Sequence, residues 1–161
     1  MNGSREMREK QPRLLLITNE WPVLKPQHPQ PSAVKRRAEA LQAAGLSVEV
    51  FAFRGRNFYN YAAAWTQLRP RLHPGRYDVV HAQDASNTLL ALPKRVPLVV
   101  SLVKRNLLAR FWASRADAVI VPSEQIKQQL RTRTPVYVIT PETDEQAATE
   151  RLLDVYREVL S

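Results

Sequence analysis

The sequence predicts an α/β fold, a single doubly wound parallel sheet of six strands with helices on both faces. Three observations lead there. Six short apolar runs recur along the 161 residues, segments of helical period separate them, and several runs are continuous and β-branched rather than alternating. Continuous runs are what strands buried on both faces of a parallel sheet require.

The predicted strands are Arg13–Thr18 (RLLLIT), Ser47–Phe53 (SVEVFAF), Tyr77–Ala82 (YDVVHA), Pro97–Val103 (PLVVSLV), Asp117–Pro122 (DAVIVP) and Pro135–Thr140 (PVYVIT). Between the first two, Val34, Ala38 and Leu41 share one helical face and Gly45 marks the stop. Phe58, Tyr61, Trp65, Leu68 and Leu72 step by three and four, a stripe that suits a helix packed on the sheet better than a sugar-stacking platform. Pro70 sets the end or a kink of that helix near Leu68.

After the third strand an apolar helix is expected to begin near Thr88, with Asp84, Ser86 and Asn87 in capping positions. Ser123 reads as the N-cap of EQIKQQL. Thr143 and Gln146 have capping-box spacing and open a last helix, whose Leu152, Val155, Tyr156, Val159 and Leu160 form one apolar face. Strand–helix alternation implies right-handed βαβ crossovers. The strand order expected, numbered along the chain, is 3-2-1-4-5-6.

Composition narrows the function. Hydrophobic residues make up 44% and charged ones 24%, ordinary for a globular domain. Without cysteine the chain has no disulfide framework and no thiolate nucleophile or metal ligand, which fits a reducing compartment. No apolar run reaches membrane-spanning length, and the start MNGSREMREKQPR lacks the apolar core of a signal peptide and reads as a solvated tail. A formal net charge of +9 points to anionic partners: phosphorylated ligands, acidic lipid head groups or nucleic acid. The basic residues are scattered in short groups and no recognition-helix or zinc-finger pattern accompanies them, so no specific nucleic acid is expected.

In open α/β sheets, ligands bind beyond the carboxyl ends of the strands. That rule selects Asn19 with Glu20 and Trp21 after the first strand, Arg54 and Arg56 after the second, and His81, Gln83 and Asp84 after the third. Lys104, Arg105 and Asn106 follow the fourth strand, and Ser123 and Glu124 the fifth. A structural reading stands beside each: Asp84 suits a helix cap, and His81 suits a satisfied buried group as well as a ligand contact. The long proline-rich loop WPVLKPQHPQPS is of a kind that often carries function. There is no GxGxxG, GxxxxGK[ST] or GxSxG pattern, and the three histidines lack metal-ligand spacing. An oxidoreductase with a dinucleotide fingerprint is therefore not expected, and neither is a metal site or cofactor.

The blocks RLLLITNEWP, AVKRRAEALQAAGLSVEVFAFRGR, RYDVVHAQDAS, VPLVVSL and SRADAVIVPSEQIKQQL, in that order and spacing, resemble the amino-terminal half of a family 4 glycosyltransferase. The resemblance implies the GT-B architecture of two facing Rossmann-like domains, the first binding the acceptor and the second the nucleotide-sugar donor. ERLLDVYREVLS resembles the final helix of such enzymes, which crosses back onto the amino-terminal domain; here it follows VYVITPETDE at once. Residues 1–12 are thus expected as a flexible tail, 13–141 as the Rossmann-like domain, and 142–161 as the helix packing on it, without the donor domain and its paired glutamates.

His81 and Asp84 match the family's histidine and polar residues after the third strand. Lys35 and Arg36 sit where the family has a basic first turn. Two departures count against catalysis: KPQHPQPS replaces a glycine-rich first loop, and Val103 stands where a histidine is frequent. The resemblance implies an acceptor-side half-domain not competent for sugar transfer alone, with Asn19, Lys35, Arg36, His81, Gln83, Asp84, Lys104, Arg105, Ser123 and Glu124 as ligand-binding candidates. Its partners would be a nucleotide-sugar or a phosphorylated or lipid acceptor, in the cytoplasm or at a membrane surface. Two alternatives stay open: a non-enzymatic Rossmann-like module that binds an anionic small molecule or self-associates, and a half-enzyme acting as a dimer.

Overall fold

A computed structural model describes residues 11–19, 33–54, 57–102 and 108–161. Six strands, β1 (Arg13–Thr18), β2 (Ser47–Ala52), β3 (Val79–Ala82), β4 (Leu98–Ser101), β5 (Ala118–Val121) and β6 (Val136–Val138), form one sheet in which every pairing is parallel. Helices α1 (Ala33–Ala43), α2 (Phe58–Leu68), α3 (Ala109–Arg115), α4 (Glu124–Leu130) and α5 (Glu145–Leu160) surround it. The fold class is the expected one. Most strands are shorter than the apolar runs containing them, and flanking residues such as Tyr77 and Leu102 are still buried, the Leu102 N–H donating to the Ile120 carbonyl of β5 at 2.8 Å.

The strand order differs from expectation. It runs β2-β1-β3-β4-β5-β6, so β2 is the edge and β3 pairs with β1. Burial explains the choice. The β3 residues are all buried, whereas Ser47 of β2 is exposed and Glu49 only half-buried. A strand carrying a carboxylate is tolerated at an edge, and VVHA needs neighbours on both sides. The order reverses between β1 and β3, which makes that pair the switch point of the sheet.

Side chains alternate between the two faces of each strand. Leu15, Ile17, Val80, Val100, Val119 and Val121 pack on one face with Ala64 and Leu68 of α2, Ala113 of α3 and Leu130 of α4. Leu14, Leu16, Val79, Val99, Ala118 and Ile120 pack on the other with Ala38 and Leu41 of α1 and Leu152, Val155 and Tyr156 of α5. Of the expected α2 stripe, Leu68 and Leu72 are buried and Tyr61 and Trp65 half-buried, but Phe58 is 78% exposed. On α5, Leu160 is also largely exposed.

Local signals set the element ends. α1 stops at Gly45, whose φ of +101° lets the Leu46 N–H return to the Leu41 carbonyl at 3.1 Å. α2 ends at Leu68, one residue before a 3₁₀ turn over Arg69–Arg71 that contains Pro70. Ser123 caps α4, its hydroxyl accepting the Ile126 N–H at 3.3 Å. The expected cap of the last helix is corrected by one residue. Asp144, not Thr143, accepts the Ala147 N–H, because the Thr143 hydroxyl is bonded to that of Thr140 at 2.7 Å. The helix expected near Thr88 is a 3₁₀ helix, Ser86–Ala91.

At the amino end of the sheet one device occurs twice. The Arg13 N–H donates to the Asp78 carboxylate and the Asp78 N–H returns to the Arg13 carbonyl, both at 2.8 Å. The Leu98 N–H and Asp117 repeat this reciprocal pair with the same two distances. Each aspartate precedes its own strand and fastens the first residue of a neighbouring one.

Candidate functional site

Period-two alternation decides which polar residues gather at the carboxyl end of the sheet. On the face covered by α1 and α5, β3 continues from Val79 to His81 and then Gln83, and β4 from Val99 to Ser101. These polar groups follow apolar ones on the same face, and α5 crosses directly over them. The α3 side of β4 instead carries Leu98, Val100 and Leu102.

His81 is fully buried. Its Nδ1 lies 2.6 Å from the Tyr156 hydroxyl and its Nε2 2.6 Å from the Ser101 hydroxyl. A neutral imidazole offers one donor and one acceptor, so one hydroxyl donates to the ring and the other accepts from it. Burial, reinforced by the nearby Arg37 charge, lowers the His81 pKa to about 3, so the ring is neutral near pH 7. Burial likewise pushes the Tyr156 phenol above its ordinary value, with Arg37 opposing. The opening ambiguity at this histidine resolves into a neutral clamp joining β3, β4 and α5.

Beside the clamp lies a cleft of about 380 Å³ between the start of α1, the ends of β4, β5 and β6, and the first turns of α5. Arg36, Arg37, Gln83, Ser101, Thr140, Thr143, Glu145 and Thr149 supply its polar lining, and Leu102, Ile120, Val121, Pro122, Ile139 and Leu152 part of its apolar lining. Arg37 Nη1 donates to Gln83 Oε1 at 3.2 Å. Gln83 Nε2 is buried and has no hydrogen-bond partner among the described residues. Among the described lining residues, two guanidinium groups stand against the single carboxylate of Glu145, a net cationic set.

Of the sequence candidates, Arg36 and Gln83 line the cleft, and His81 stands behind it, reaching the cleft wall through Ser101. Asn19 is half-buried just beyond β1 and does not line it. Lys35 is exposed on α1 and pairs with Glu39 at 3.9 Å. Asp84 turns back on its own loop, accepting the Ala85 N–H at 2.7 Å and the Ser86 hydroxyl at 3.4 Å. Ser123 is spent on its cap, and Glu124 is exposed in the first turn of α4. Lys104, Arg105, Asn106 and Val103 lie outside the described residues, as do Glu20, Trp21, Arg56 and the loop 22–32.

Arg37, Ser101, Thr140, Thr149 and Tyr156 were not among the candidates. Arg37 carried the available signal, as the third residue of a basic triplet; the hydroxyls needed the α5 crossing to become visible. Among the described residues no group of three His, Cys, Asp or Glu could hold a metal ion. No helix among them is long and apolar enough to cross a membrane.

Comparison with solved structures gives a chain of sucrose-phosphate synthase from Thermosynechococcus elongatus, with a TM-score of 0.72 at 15% identity, covering 92% of this chain and 99% of that one. At that identity the likeness is one of fold. The search of curated proteins gives no match. The family described as Glycosyltransferase Family 4 matches residues 4–146. With most of the chain inside that match, and the parallel sheet ordered β2-β1-β3-β4-β5-β6, this protein belongs to Glycosyltransferase Family 4.

Proposed function

We propose that this chain is the acceptor-side half of a GT-B glycosyltransferase, closed by α5, and that it transfers sugar only together with a donor-binding domain supplied by another polypeptide or segment. One observation carries the reading. Six residues separate the end of β6 at Val138 from the start of α5 at Glu145, yet α5 buries Leu152, Val155 and Tyr156 against the α1 face. No domain intervenes between the last strand and the closing helix.

Transfer from a nucleotide-sugar requires the leaving diphosphate to be stabilised by positive groups and helix N-termini. The cleft arginines supply positive charge, but the described residues include no second lobe to enclose a base and ribose. The expected ligands are therefore an acceptor, held here, and a nucleotide-sugar held mainly elsewhere. We place the protein in the cytoplasm, and its net charge of +9 favours weak contact with anionic membrane surfaces.

Calorimetry with uridine and guanosine diphosphates, combined with an assay for nucleotide-sugar turnover, tests the reading. The expected result is millimolar or weaker binding and no turnover by the chain alone. Micromolar binding or steady turnover would overturn it in favour of a complete enzyme.

A further inference from the structure

Among the described α-helices, α2 alone carries no charged side chain; its sequence is FYNYAAAWTQL. The other four each expose Lys, Arg or Glu to solvent. Ala64 and Leu68 hold α2 on the sheet, and helical period turns Tyr59, Ala62, Ala63 and Thr66 to the opposite side, where all four are exposed. Phe58, expected to pack on the sheet, stands beside them at 78% exposure, and Tyr59 is 82% exposed. Their rings meet edge to face with centroids 6.3 Å apart, so they present one continuous apolar surface. The Thr66 hydroxyl already donates to the Ala62 carbonyl at 2.9 Å. Arg69 follows the helix, its guanidinium folded back over Trp65 at 4.7 Å from the ring centroid.

We propose that this outer face of α2 is a self-association surface on which a second copy of the chain packs, the two α2 helices antiparallel about a two-fold axis between Ala62 and Ala63. Charge selects the face. Two copies of net charge +9 repel wherever their basic groups meet, and α2 is the helix on which they do not. Size selects the partner. The axis sets Phe58 and Tyr59 of each copy opposite Thr66 and Gln67 of the other, large against small, with the alanines at the centre allowing close approach. Folded back toward Trp65, the Arg69 guanidinium comes level with the other copy's Tyr59 ring, a cation–π pair made twice. Exposed aromatics with an arginine, and no Lys, Asp or Glu between them, are the composition of an interface centre. A membrane surface fits less well, because the large apolar side chains are confined to the first turn and no Lys or Arg flanks them within the helix.

The two aromatic side chains offer about 300 Å² per copy, and the whole face about 500 Å², so a dimer buries about 1,000 Å² in all. That lies below the range of stable complexes and predicts a weak dimer, with a Kd of about 0.1 mM. α2 packs on the sheet face opposite α1 and α5, which leaves the cleft beside α5 uncovered in the pair. The inference does not depend on the half-enzyme reading.

The test is sedimentation velocity on the full chain over a concentration series reaching about 0.5 mM. A monomer–dimer equilibrium is expected. Tyr59→Ser, which removes contact area, and Ala63→Lys, which sets like charges across the axis, should each weaken it about tenfold or more. Neither side chain is buried, so both variants should melt as the unmodified chain does. Leu160→Lys, the same charge added at an exposed apolar residue on α5, should leave the equilibrium unchanged. Because the chain has no cysteine, Ala63→Cys gives a second reading: mild oxidation should link two copies, whereas Gln128→Cys on α4 should not do so at the same concentration.

A monomer throughout the series, a dimer indifferent to Tyr59→Ser and Ala63→Lys, or equal weakening by Leu160→Lys would overturn the proposal. Equal cross-linking through Gln128→Cys would overturn it too. Flotation with vesicles containing phosphatidylserine separates the other occupant: binding lost in Tyr59→Ser, in a chain that stays monomeric, would assign the face to a membrane surface instead.

Discussion

The two ends of the sheet treat polar residues in opposite ways. At the amino end Asp78 and Asp117 are fastened in reciprocal backbone pairs, and their remaining carboxylate oxygens take Arg13 Nη2 at 3.0 Å and Lys94 Nζ at 2.8 Å. Nearby, Glu49, Arg71 and Tyr77 form a hydrogen-bonded ion cluster in which Arg71 Nε is the one buried atom without a partner among the described residues. At the carboxyl end the His81 clamp is fully bonded, yet Gln83 Nε2 is orphaned and two arginines face a cleft. Beyond it, the fully buried Asn87 and Thr88 have side chains with no partner among the described residues. One end spends its polar groups on holding strands in place. The other keeps donors in reserve, at a cost in stability that a ligand can offset.

The sharpest way to break this comparison is to remove α5, which roofs the carboxyl end. Ending the chain after Thr143 exposes the surfaces buried against Leu152, Val155 and Tyr156, each worth roughly 1.5–3 kcal/mol. A loss of about 5–9 kcal/mol rivals the whole stability of an ordinary domain, so the expected outcome is loss of cooperative thermal unfolding. A truncated chain that melts as the full one does would show that the helix only rests on the sheet.

Acid should act next, and at this end. Folded His81 stays neutral down to about pH 3, while the unfolded chain takes up that proton near the ordinary value of 6.5. The contribution is complete above about pH 6.5 and declines as pH falls toward 3, by on the order of 4 kcal/mol. Urea midpoints measured from pH 8 to pH 4 should fall accordingly, and His81→Leu should flatten the slope. Tyr156 acts with the opposite sign: its proton is retained longer when folded, so stability declines as pH rises above about 10.

Smaller effects separate the ends further. Asp117→Ala strands the Leu98 N–H without its acceptor and should cost about 1–3 kcal/mol by urea denaturation. The smallest change expected is Thr88→Val. Its hydroxyl is buried without a partner among the described residues, so removal should be neutral or stabilise by up to about 1 kcal/mol, read from the melting temperature. A clear destabilisation would mean that a bound water satisfies that group.

Much of the fold was legible because it rests on local chemistry. Val34, Ala38 and Leu41 could be assigned to the core face from spacing alone, and Gly45 and Ser123 marked ends through their own backbone and side-chain properties. The strand order was not, although the charge in SVEVFAF was the available sign of an edge. The aspartate locks were missed as well; both occur as Arg-x-Asp before an apolar run, in RYDVV and RADAVIV, a repetition visible in the sequence. Among site residues, Arg36 and Gln83 were legible from the strand-end rule, whereas Lys35 and Arg37 could not be told apart without knowing which side of α1 faces the cleft.

The sequence by itself determined the parallel α/β class, six strands, the apolar face of the closing helix and the basic start of α1. Each follows from a period or a composition within a few neighbouring residues. Only the tertiary structure decided that β3 lies beside β1, that His81 is a neutral clamp rather than a free strand-end group, and that Arg37 and Gln83 meet across 46 positions of chain. Those outcomes depend on which surfaces compete for the same burial and which hydrogen-bonding groups lose water together. Such competition is settled between distant segments, where a local pattern has no means of ranking the alternatives.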